Sequence, residues 1–264
     1  MSRLTTHTGA LRAGGRKALV AFLTAGYPTE RAFADMVLAA ADAGADIIEV
    51  GIPFSDPIAD GPVIQAASTV VLANGMSLAR ALDATAELAT RTDATLVAMS
   101  YVNPVLSMGL ETFVARAGDA GVAGVILPDV SFEESDAFRQ PLHAAGMSYV
   151  DLVAPTSSDA RIQAIAGGSE GFVYVVSLTG VTGARDTVAG DLGALTARVR
   201  AATATPVYVG FGISSPDAAA AVAEHADGVI IGSRLLGLAA EGAPEAAGRR
   251  VGDFLAGVRG ALDR

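Results

Sequence analysis

Residues 18–51 read ALVAFLTAGYPTERAFADMVLAAADAGADIIEVG, and this stretch decides the fold. Two nearly continuous apolar runs, Ala18–Thr24 and Ile47–Gly51, predict strands that are buried on both faces, as in a parallel sheet. Between them, apolar residues recur at helical spacing after Pro28, and Gly44 marks the end of the segment. The stretch therefore predicts one strand–helix–strand unit.

The same pattern continues along the chain. Further apolar runs span residues 95–101, 124–127, 148–152, 172–177, 207–210 and 228–231, and Ala-rich helical segments separate them. Eight such strands within 264 residues predict an α/β protein that forms a (β/α)8 TIM barrel, a single domain over residues 1–264 with a short N-terminal leading segment. The alternative is an open doubly wound sheet. That fold usually carries a Gly-rich fingerprint after its first strand, and residues 24–28 do not form one.

Composition narrows the possible functional classes. Hydrophobic residues make up 51% of the chain and charged residues 17%, which excludes intrinsic disorder. The formal net charge of -10 argues against a nucleic-acid-binding or polybasic membrane-surface protein, because both need clustered Lys and Arg. The absence of Cys excludes disulfides and thiolate sites. No secretory segment and no apolar stretch of membrane-spanning length occurs, so we expect a cytoplasmic protein.

Two carboxylates belong to the second predicted strand and its loop, in the stretch IEVGIPFSDPIADG at residues 48–61. Functional residues of a (β/α)8 barrel lie at the carboxyl ends of the strands, and alternation points Glu49 into the barrel mouth. Asp60 follows in a long loop, which we predict to contain a short extra helix after Pro62. Two carboxylates in different environments can divide the roles of acid and base. The alternative is structural, with Glu49 paired to a buried Arg and Asp60 capping that helix.

Glycine turns follow the last two predicted strands. Residues 210–214 read GFGIS, and Gly232 and Ser233 lead into a helical run. Many barrel enzymes bind phosphate in these two loops, through backbone N–H groups at helix starts. The pattern therefore predicts a phosphate site, with plain turn glycines as the alternative. A Gly- and Thr-rich loop over residues 179–185 is a candidate lid.

Other side chains restrict the chemistry. Lys17 is the single lysine and precedes the first strand, so it is predicted at the amino-terminal, stability face of the barrel. The histidines are predicted as surface residues rather than metal ligands: His7, His143 and His225. Aromatic side chains at or near strand ends either line a flat apolar pocket or fill the barrel core: Phe22, Tyr101 and Tyr174.

These motifs resemble those of the tryptophan synthase α chain family. The family motif consists of a strand Glu, a Gly, then Ser-Asp-Pro and a closing Asp-Gly, and residues 48–61 match it throughout. Further matches keep the family order over nearly the whole chain: residues 22–28, 99–104, 128–130, 133–135, 180–183 and 210–214. Leu178 and Thr179 depart from the Arg-Ala that is also common in the family, which bears on the lid and not on the chemistry.

The resemblance implies a lyase of tryptophan biosynthesis, which cleaves indole-3-glycerol phosphate to indole and glyceraldehyde 3-phosphate. This retro-aldol reaction needs an electron sink while the carbon–carbon bond breaks. The badly placed Lys17 and the scattered histidines supply neither a Schiff base nor a metal site. An indole ring protonated at C3 accepts the electrons itself, so that acid–base groups suffice. The residue inventory therefore agrees with the mechanism that the resemblance implies.

The resemblance also assigns roles to individual residues. Glu49 is the implied acid–base residue, and Asp60 the hydrogen-bond acceptor for the indole N–H, with Thr182 holding Asp60 when the lid closes. The implied phosphate cradle and apolar indole pocket consist of Gly183, Gly212, Gly232 and Ser233, and of Phe22, Tyr101, Leu127 and Tyr174. The residues implied to face a partner β chain, which receives the indole in an α2β2 heterotetramer, are Pro53, Asp56 and Asn103. No metal or cofactor is expected in this chain, because pyridoxal phosphate belongs to the β chain.

Other functions stay open at this point. Another phosphate-binding barrel, such as a sugar-phosphate isomerase, would keep the glycine turns without needing an apolar indole slot. A non-catalytic regulatory subunit would bind a ligand and activate a partner, although Glu49 and Asp60 are both intact. A stand-alone indole-forming relative of the family would share the same residues.

Overall fold

A computed structural model describes residues 1–176, 185–210 and 212–264, and of residues 185–191 the backbone alone. The strands in these residues pair in parallel and form one sheet with the order β5-β4-β3-β2-β1-β9-β8-β7-β6. They are β1 (Ala18–Thr24), β2 (Ile47–Gly51), β3 (Thr95–Met99), β4 (Gly124–Ile126), β5 (Ser148–Tyr149), β6 (Leu152–Val153), β7 (Val173–Val176), β8 (Val207–Gly210) and β9 (Gly228–Ile231).

β5 and β6 are two halves of one barrel strand. β5 pairs with β4 and β6 pairs with β7, so residues 148–153 join the two ends of the sheet. Backbone bonds continue across the break, because Val150 N–H donates to Val125 O and Tyr174 N–H donates to Asp151 O, each at 2.9 Å. The predicted single-domain (β/α)8 barrel is confirmed, and β8 and β9 are its seventh and eighth strands.

Helices surround the sheet. They are α1 (Arg3–Ala13), α2 (Glu30–Asp42), α3 (Pro62–Ala73), α4 (Leu78–Ala89), α5 (Val102–Met108), α6 (Leu110–Asp119), α7 (Asp136–Ala144), α8 (Asp159–Gly168), α9 (Arg185–Ala202), α10 (Pro216–Ala223), α11 (Ser233–Ala240) and α12 (Ala247–Leu262), with short 3-10 helices at Phe132–Glu134 and Pro244–Ala246. The predicted helix start at Ser215 is confirmed, since its side chain accepts from Ala218 N and Pro216 occupies the first turn.

Three helices have no counterpart among the sequence predictions. The predicted leading segment forms α1, which closes the amino end of the barrel: Leu4 is fully buried and Thr8 Oγ1 donates to Gly171 O at 2.7 Å. α5 starts directly after β3, which ends at Met99 and not at residue 101 as predicted. α12 packs against α2 and α10 and completes the outer ring of helices.

The loop after β2 is long and carries α3, which confirms the helix predicted after Pro62. α3 is followed at once by α4, whose first turn is capped by Ser77. In the parts of the chain described above, no single helix is long and apolar enough to cross a bilayer. α3 and α4 satisfy that test of length and composition only as a pair, and the pair is bent by 99°.

Alternation along the strands separates two apolar layers. Inward residues such as Val20 and Ile47 fill the barrel interior, whereas outward residues such as Ile48 pack between the sheet and the helices. Glu49 has the same parity as Ile47 and therefore points inward, with Phe22 of β1 as its register partner. The fold thus places one carboxylate inside an otherwise apolar barrel.

Candidate active site

Glu49 is fully buried inside the barrel, and neither of its carboxylate oxygens has a hydrogen-bond partner within the described residues. Burial raises the pKa of this carboxyl group to about 8, because the charged form loses its hydration. Glu49 therefore holds a proton at neutral pH. No salt bridge joins it to an arginine of the described chain, so the structural alternative of a buried Arg partner is wrong.

Asp60 lies in the loop between β2 and α3 and is half-buried. The Tyr101 hydroxyl hydrogen-bonds with its carboxylate and also accepts the Ala59 N–H at 3.1 Å. Burial raises the pKa of Asp60 to about 6, while the bond from Tyr101 acts in the opposite direction. The cap residue of α3 is Gly61, so the alternative that Asp60 caps this helix is wrong. The two carboxylates thus have different environments and different acidities.

A cavity of about 1000 Å³ opens at the carboxyl ends of the strands. Six of the sequence-predicted residues contribute to its wall: Phe22, Asp60, Tyr174, Gly212, Gly232 and Ser233. Glu49 lies just behind this wall, beside Phe22 and close enough to Tyr174 that its charge raises the pKa of that phenol. Tyr101 is also buried behind the wall, against Asp60. The structure therefore brings both carboxylates, the aromatic residues and the glycine turns together.

Among the described residues, Leu127 is a third predicted active-site side chain that does not line this wall, after Glu49 and Tyr101. Leu127 is buried in the apolar layer between the sheet and the helices and does not line the cavity. Thr182 and Gly183 lie outside the described residues, as does most of the predicted lid over 179–185.

The sequence reasoning missed several wall residues. Met99 and Ile64 add apolar surface around Phe22, and Ile230 lines the same cavity. Arg234 contributes the only positive charge that the β8 and β9 loops bring to the described wall. The Arg234 guanidinium lies 3.5 Å from Glu241 and over the Phe254 ring, so its charge is partly engaged. In the sequence, Met99 and Ile64 look like ordinary buried apolar residues. Only their contacts in the structure show that they line the cavity.

Two glycines in strands make room for the aromatic residues. A Cβ atom at Gly210 would lie 2.7 Å from the Tyr174 hydroxyl and ring, and a Cβ atom at Gly51 would collide with the Phe22 ring. Neither glycine was predicted to have this role. A glycine within a strand is itself the sequence feature that indicates such a close approach.

The glycine turns after β8 and β9 have open backbone. Gly212 has a φ of +50°, and no atom lies within 4 Å of the position its Cβ would take. Gly232 precedes α11, whose first residues Ser233 and Arg234 also face the cavity. The free N–H groups and dipole of this helix start therefore point toward a position suited to an anion.

Lys17 and the histidines lie away from this cavity. Lys17 Nζ donates to Ala226 O at 2.8 Å, at the amino ends of the strands as predicted. His143 is exposed, whereas His7 and His225 are half-buried and so only partly on the surface. Among the described residues, no group of three His, Asp or Glu side chains has the arrangement of a metal site.

The predicted partner-facing residues lie on the loop after β2 and on α5. Asp56 and Asn103 are exposed, whereas Pro53 is buried within this chain. Large apolar side chains on the same two segments are also exposed: Ile58 by 84% and Leu106 by 55%. Exposed apolar groups rimmed by polar residues are typical of a surface that contacts another protein.

Fold and site together define a (β/α)8-barrel enzyme with two carboxylates of unequal acidity in one cavity. Residues 9–252 match the sequence model of the family described as "Tryptophan synthase alpha chain". The tryptophan synthase alpha chain of Burkholderia thailandensis is 47% identical over 268 residues, covering 100% of this chain and 97% of that protein. The alpha chain of Methylococcus capsulatus is 46% identical, covering 100% of both.

Solved structures agree with these sequences. The tryptophan synthase subunit alpha of Legionella pneumophila superposes with a TM-score of 0.91 at 34% identity, covering 100% of this chain and 99% of that one. A chain of the M. tuberculosis tryptophan synthase in its aminoacrylate- and BRD0059-bound form gives a TM-score of 0.88 at 33% identity, covering 99% and 98%. The chain belongs to the tryptophan synthase alpha chain family. Its activity is the lyase reaction of that family, the retro-aldol cleavage of indole-3-glycerol phosphate in tryptophan biosynthesis.

Proposed function

We propose that Glu49 and Asp60 are the catalytic residues of this reaction. The protonated Glu49 donates to C3 of the indole ring, which forms an indolenine cation. The ionised Asp60 accepts a hydrogen bond from the indole N–H and stabilises the positive charge that develops there. The observation that carries this proposal is the unpartnered Glu49 carboxyl group inside the barrel, with a pKa of about 8.

Bond cleavage then follows from the electronic demand of the cation. Glu49, once deprotonated, takes the proton of the glycerol hydroxyl on the carbon next to the ring. The carbonyl of glyceraldehyde 3-phosphate forms, the bond from that carbon to C3 breaks, and its electron pair restores the aromatic indole. No lysine is required, and the one lysine is held at the opposite end of the barrel by Ala226 O. General acid–base catalysis by one residue in two steps accounts for the reaction.

The remaining site residues bind the substrate in this proposal. The proposed apolar indole slot consists of the side chains predicted from the sequence, Phe22, Tyr101, Leu127 and Tyr174. Phe22 and Tyr174 line the cavity, and Tyr101 and Leu127 are buried without lining it. The phosphate is held by Gly183, Gly212, Gly232 and Ser233. Thr182 fixes Asp60 from the lid. Gly212 and the start of α11 support the phosphate position, since their open backbone faces the cavity.

A β chain is the proposed partner, in an α2β2 heterotetramer that acts in the cytoplasm. The exposed Asp56 and Asn103 and the buried Pro53 form the proposed contact, and the exposed Ile58 and Leu106 add apolar area to it. The indole passes to the β chain, which holds the pyridoxal phosphate. Schiff-base cofactors need an accessible lysine, and Lys17 is engaged at the amino end of this barrel.

The test compares Glu49→Gln with Glu87→Gln, a matched change on a surface helix where the side chain is 71% exposed. Indole release from indole-3-glycerol phosphate is measured for both variants, with and without an added β chain. We expect a loss of at least ~100-fold for Glu49→Gln and wild-type turnover for Glu87→Gln. Near wild-type turnover of Glu49→Gln would end the catalytic assignment. A rate that does not respond to the β chain would instead favour a stand-alone indole-forming enzyme.

A further inference from the structure

Asp129 lies in the loop after β4 and is half-buried in the cavity wall. Both of its carboxylate oxygens accept from the Val102 N–H, at 3.0 and 3.1 Å. This N–H is the first of α5, and the cap residue Tyr101 provides no side-chain cap of its own. Asp129 therefore caps α5 from a different loop, where a negative charge is favoured by the dipole of the helix.

The residue before this N–H is the one that contacts Asp60. Tyr101 is 3% exposed, and its ring packs against Phe54 with 5.3 Å between the ring centroids. Its hydroxyl accepts the Ala59 N–H, so its own hydrogen is left for the Asp60 carboxylate. Residues 52–61 form no helix or strand, and Tyr101 is the side chain that joins this loop to the wall near Asp60 in the described structure.

We propose that Asp129 is a positioning residue for Asp60, which acts through the backbone of Val102 and the ring of Tyr101 without touching a reacting atom. The inference rests on the proposed function, because it requires Asp60 to act in the reaction. The hydrogen bonds between Asp129 and the Val102 N–H fix the backbone next to Tyr101. A fixed backbone holds the Tyr101 ring in place, and the ring in turn holds its hydroxyl group at the Asp60 carboxylate. Loss of the hydrogen bonds to Val102 lets the ring move, and the Asp60 carboxylate then loses a hydrogen bond that favours its ionised form.

The experiment measures the pKa of Asp60, which depends on the polar and charged groups around it. Tyr101 hydrogen-bonds with Asp60, and the charges of Asp60 and Asp129 both raise the pKa of Tyr101. Tyr174 is near enough to Asp60 and Glu49 for their charges to raise its pKa. The bond from Tyr101 lowers the pKa of Asp60, so losing it raises that pKa. If the ionised Asp60 is the active form, the acid limb of the kcat/KM profile then moves to higher pH.

The test measures the pH profile of indole release for Asp129→Ala, Asp129→Asn and Tyr101→Phe. The Asn amide oxygen can still accept from Val102 N–H, so we expect Asp129→Asn to keep the acid limb of the wild type. We expect Asp129→Ala to lower kcat about tenfold with little change in KM, and to move the acid limb upward toward that of Tyr101→Phe. The double variant Asp129→Ala/Tyr101→Phe should show no further movement.

The control is Ser77→Ala, which removes the capping bond to Arg80 N at the start of α4 and should not move the limb. If Asp129→Ala does not fold, Asp129→Glu displaces the carboxylate and should move the limb in the same direction. Equal losses in Asp129→Asn and Asp129→Ala would overturn the inference, because the residue would then contact substrate directly. An unmoved limb in Asp129→Ala would overturn it as well. Wild-type turnover of Asp60→Asn would overturn the proposed function itself.

Discussion

Asp46 and Glu49 are separated by only three positions at the start of β2, yet their surroundings are opposite. Asp46 lies at the amino end of the barrel with its side chain 8% exposed, and it accepts from Arg16 Nε at 2.8 Å and from Leu19 N at 2.9 Å, with Arg259 Nη1 at 3.4 Å. Glu49 lies further into the barrel, fully buried, without a partner among the described residues.

The difference assigns a structural role to Asp46, just before β2, and leaves Glu49, inside β2, available for the proposed chemistry. A buried carboxylate that is paired and hydrogen-bonded ties elements together, as Asp46 does for β1, β2 and α12. Asp227 repeats the arrangement before β9, accepting from Val207 N and Arg200. A buried carboxylate without partners keeps its proton and is a cost to the fold. The amino end of this barrel thus contains paired carboxylates, whereas Glu49, further along β2, has no partner among the described residues.

The substitution Glu49→Gln is expected to have the largest effect and is the strongest test of the contrast between Asp46 and Glu49. Turnover should fall by at least ~100-fold, while the free energy of unfolding should rise. The pKa of Glu49 is higher in the folded state than in the unfolded chain, so its contribution to stability decreases as pH rises from about 4.5 to about 8. Because Gln does not titrate, the free energy of unfolding of the variant at pH 7 should exceed that of wild type by on the order of 3 kcal/mol.

Urea unfolding of wild type and Glu49→Gln at pH 5, 7 and 8 checks the stability half of this prediction. The difference in the free energy of unfolding between the variant and wild type should increase from pH 5 to pH 8. A variant that is less stable than wild type at pH 7 would mean that Glu49 has a stabilising partner.

Asp46→Asn should have the opposite outcome. It leaves Arg16 and Arg259 without their shared carboxylate, so we expect the free energy of unfolding to fall by about 3 kcal/mol while kcat per folded molecule is unchanged. Urea titration and an indole-release assay on the same samples measure both quantities. The matched control is the exposed Asp42→Asn, for which a change within about 0.5 kcal/mol is expected. Lost turnover in fully folded Asp46→Asn would contradict the structural role of Asp46.

The pH dependence of activity tests the different acidities of Asp60 and Glu49. In the proposed mechanism, Asp60 is ionised when it accepts the indole N–H, and Glu49 is protonated when it donates to C3. The kcat/KM of wild type should therefore rise with pH through about 6 and fall through about 8, by tenfold per unit beyond each limb. Asp60→Asn should lack the acid limb. A profile that is flat between pH 5 and 9 would exclude these two groups.

Gly210→Ala is expected to give the smallest effect. Its Cβ would lie 2.7 Å from Tyr174, so the ring has to shift, and KM should rise several-fold at a stability loss of about 1–2 kcal/mol. Gly167→Ala in α8 is the control, because no atom lies within 4 Å of its Cβ position. Steady-state kinetics on both variants measure the difference. Wild-type KM for Gly210→Ala would show that Tyr174 tolerates displacement.

Much of the fold could be predicted because strand and helix patterns are local. Continuous apolar runs such as Ala18–Thr24 and Ile47–Gly51 have the observed bounds, since burial on both faces leaves a clear mark on composition. The division of the fifth barrel strand into β5 and β6 could not be predicted, because it depends on the pairing of its two halves with β4 and β7. α5 is also unpredictable from its own sequence, as its first N–H is capped by Asp129 from a distant loop.

The candidate site divides in the same way. The position of Glu49 inside the barrel follows from alternation along β2, and the glycine turns follow from their place after the last two strands. The contact between Tyr101 and Asp60, and the room that Gly210 leaves for Tyr174, involve residues that are distant in sequence. No local pattern predicts such pairs.

The sequence by itself determined the barrel, the pair of carboxylates and the restriction to chemistry without lysine or thiol, because these depend on residue types and on periods of two and 3.6 residues. Only the tertiary structure decided that Asp46 is paired while Glu49 has no partner among the described residues, and hence that the pKa of Glu49 is raised. The acidity of a carboxyl group is set by the atoms packed around it, and those atoms come from strands, helices and loops that are far apart along the chain.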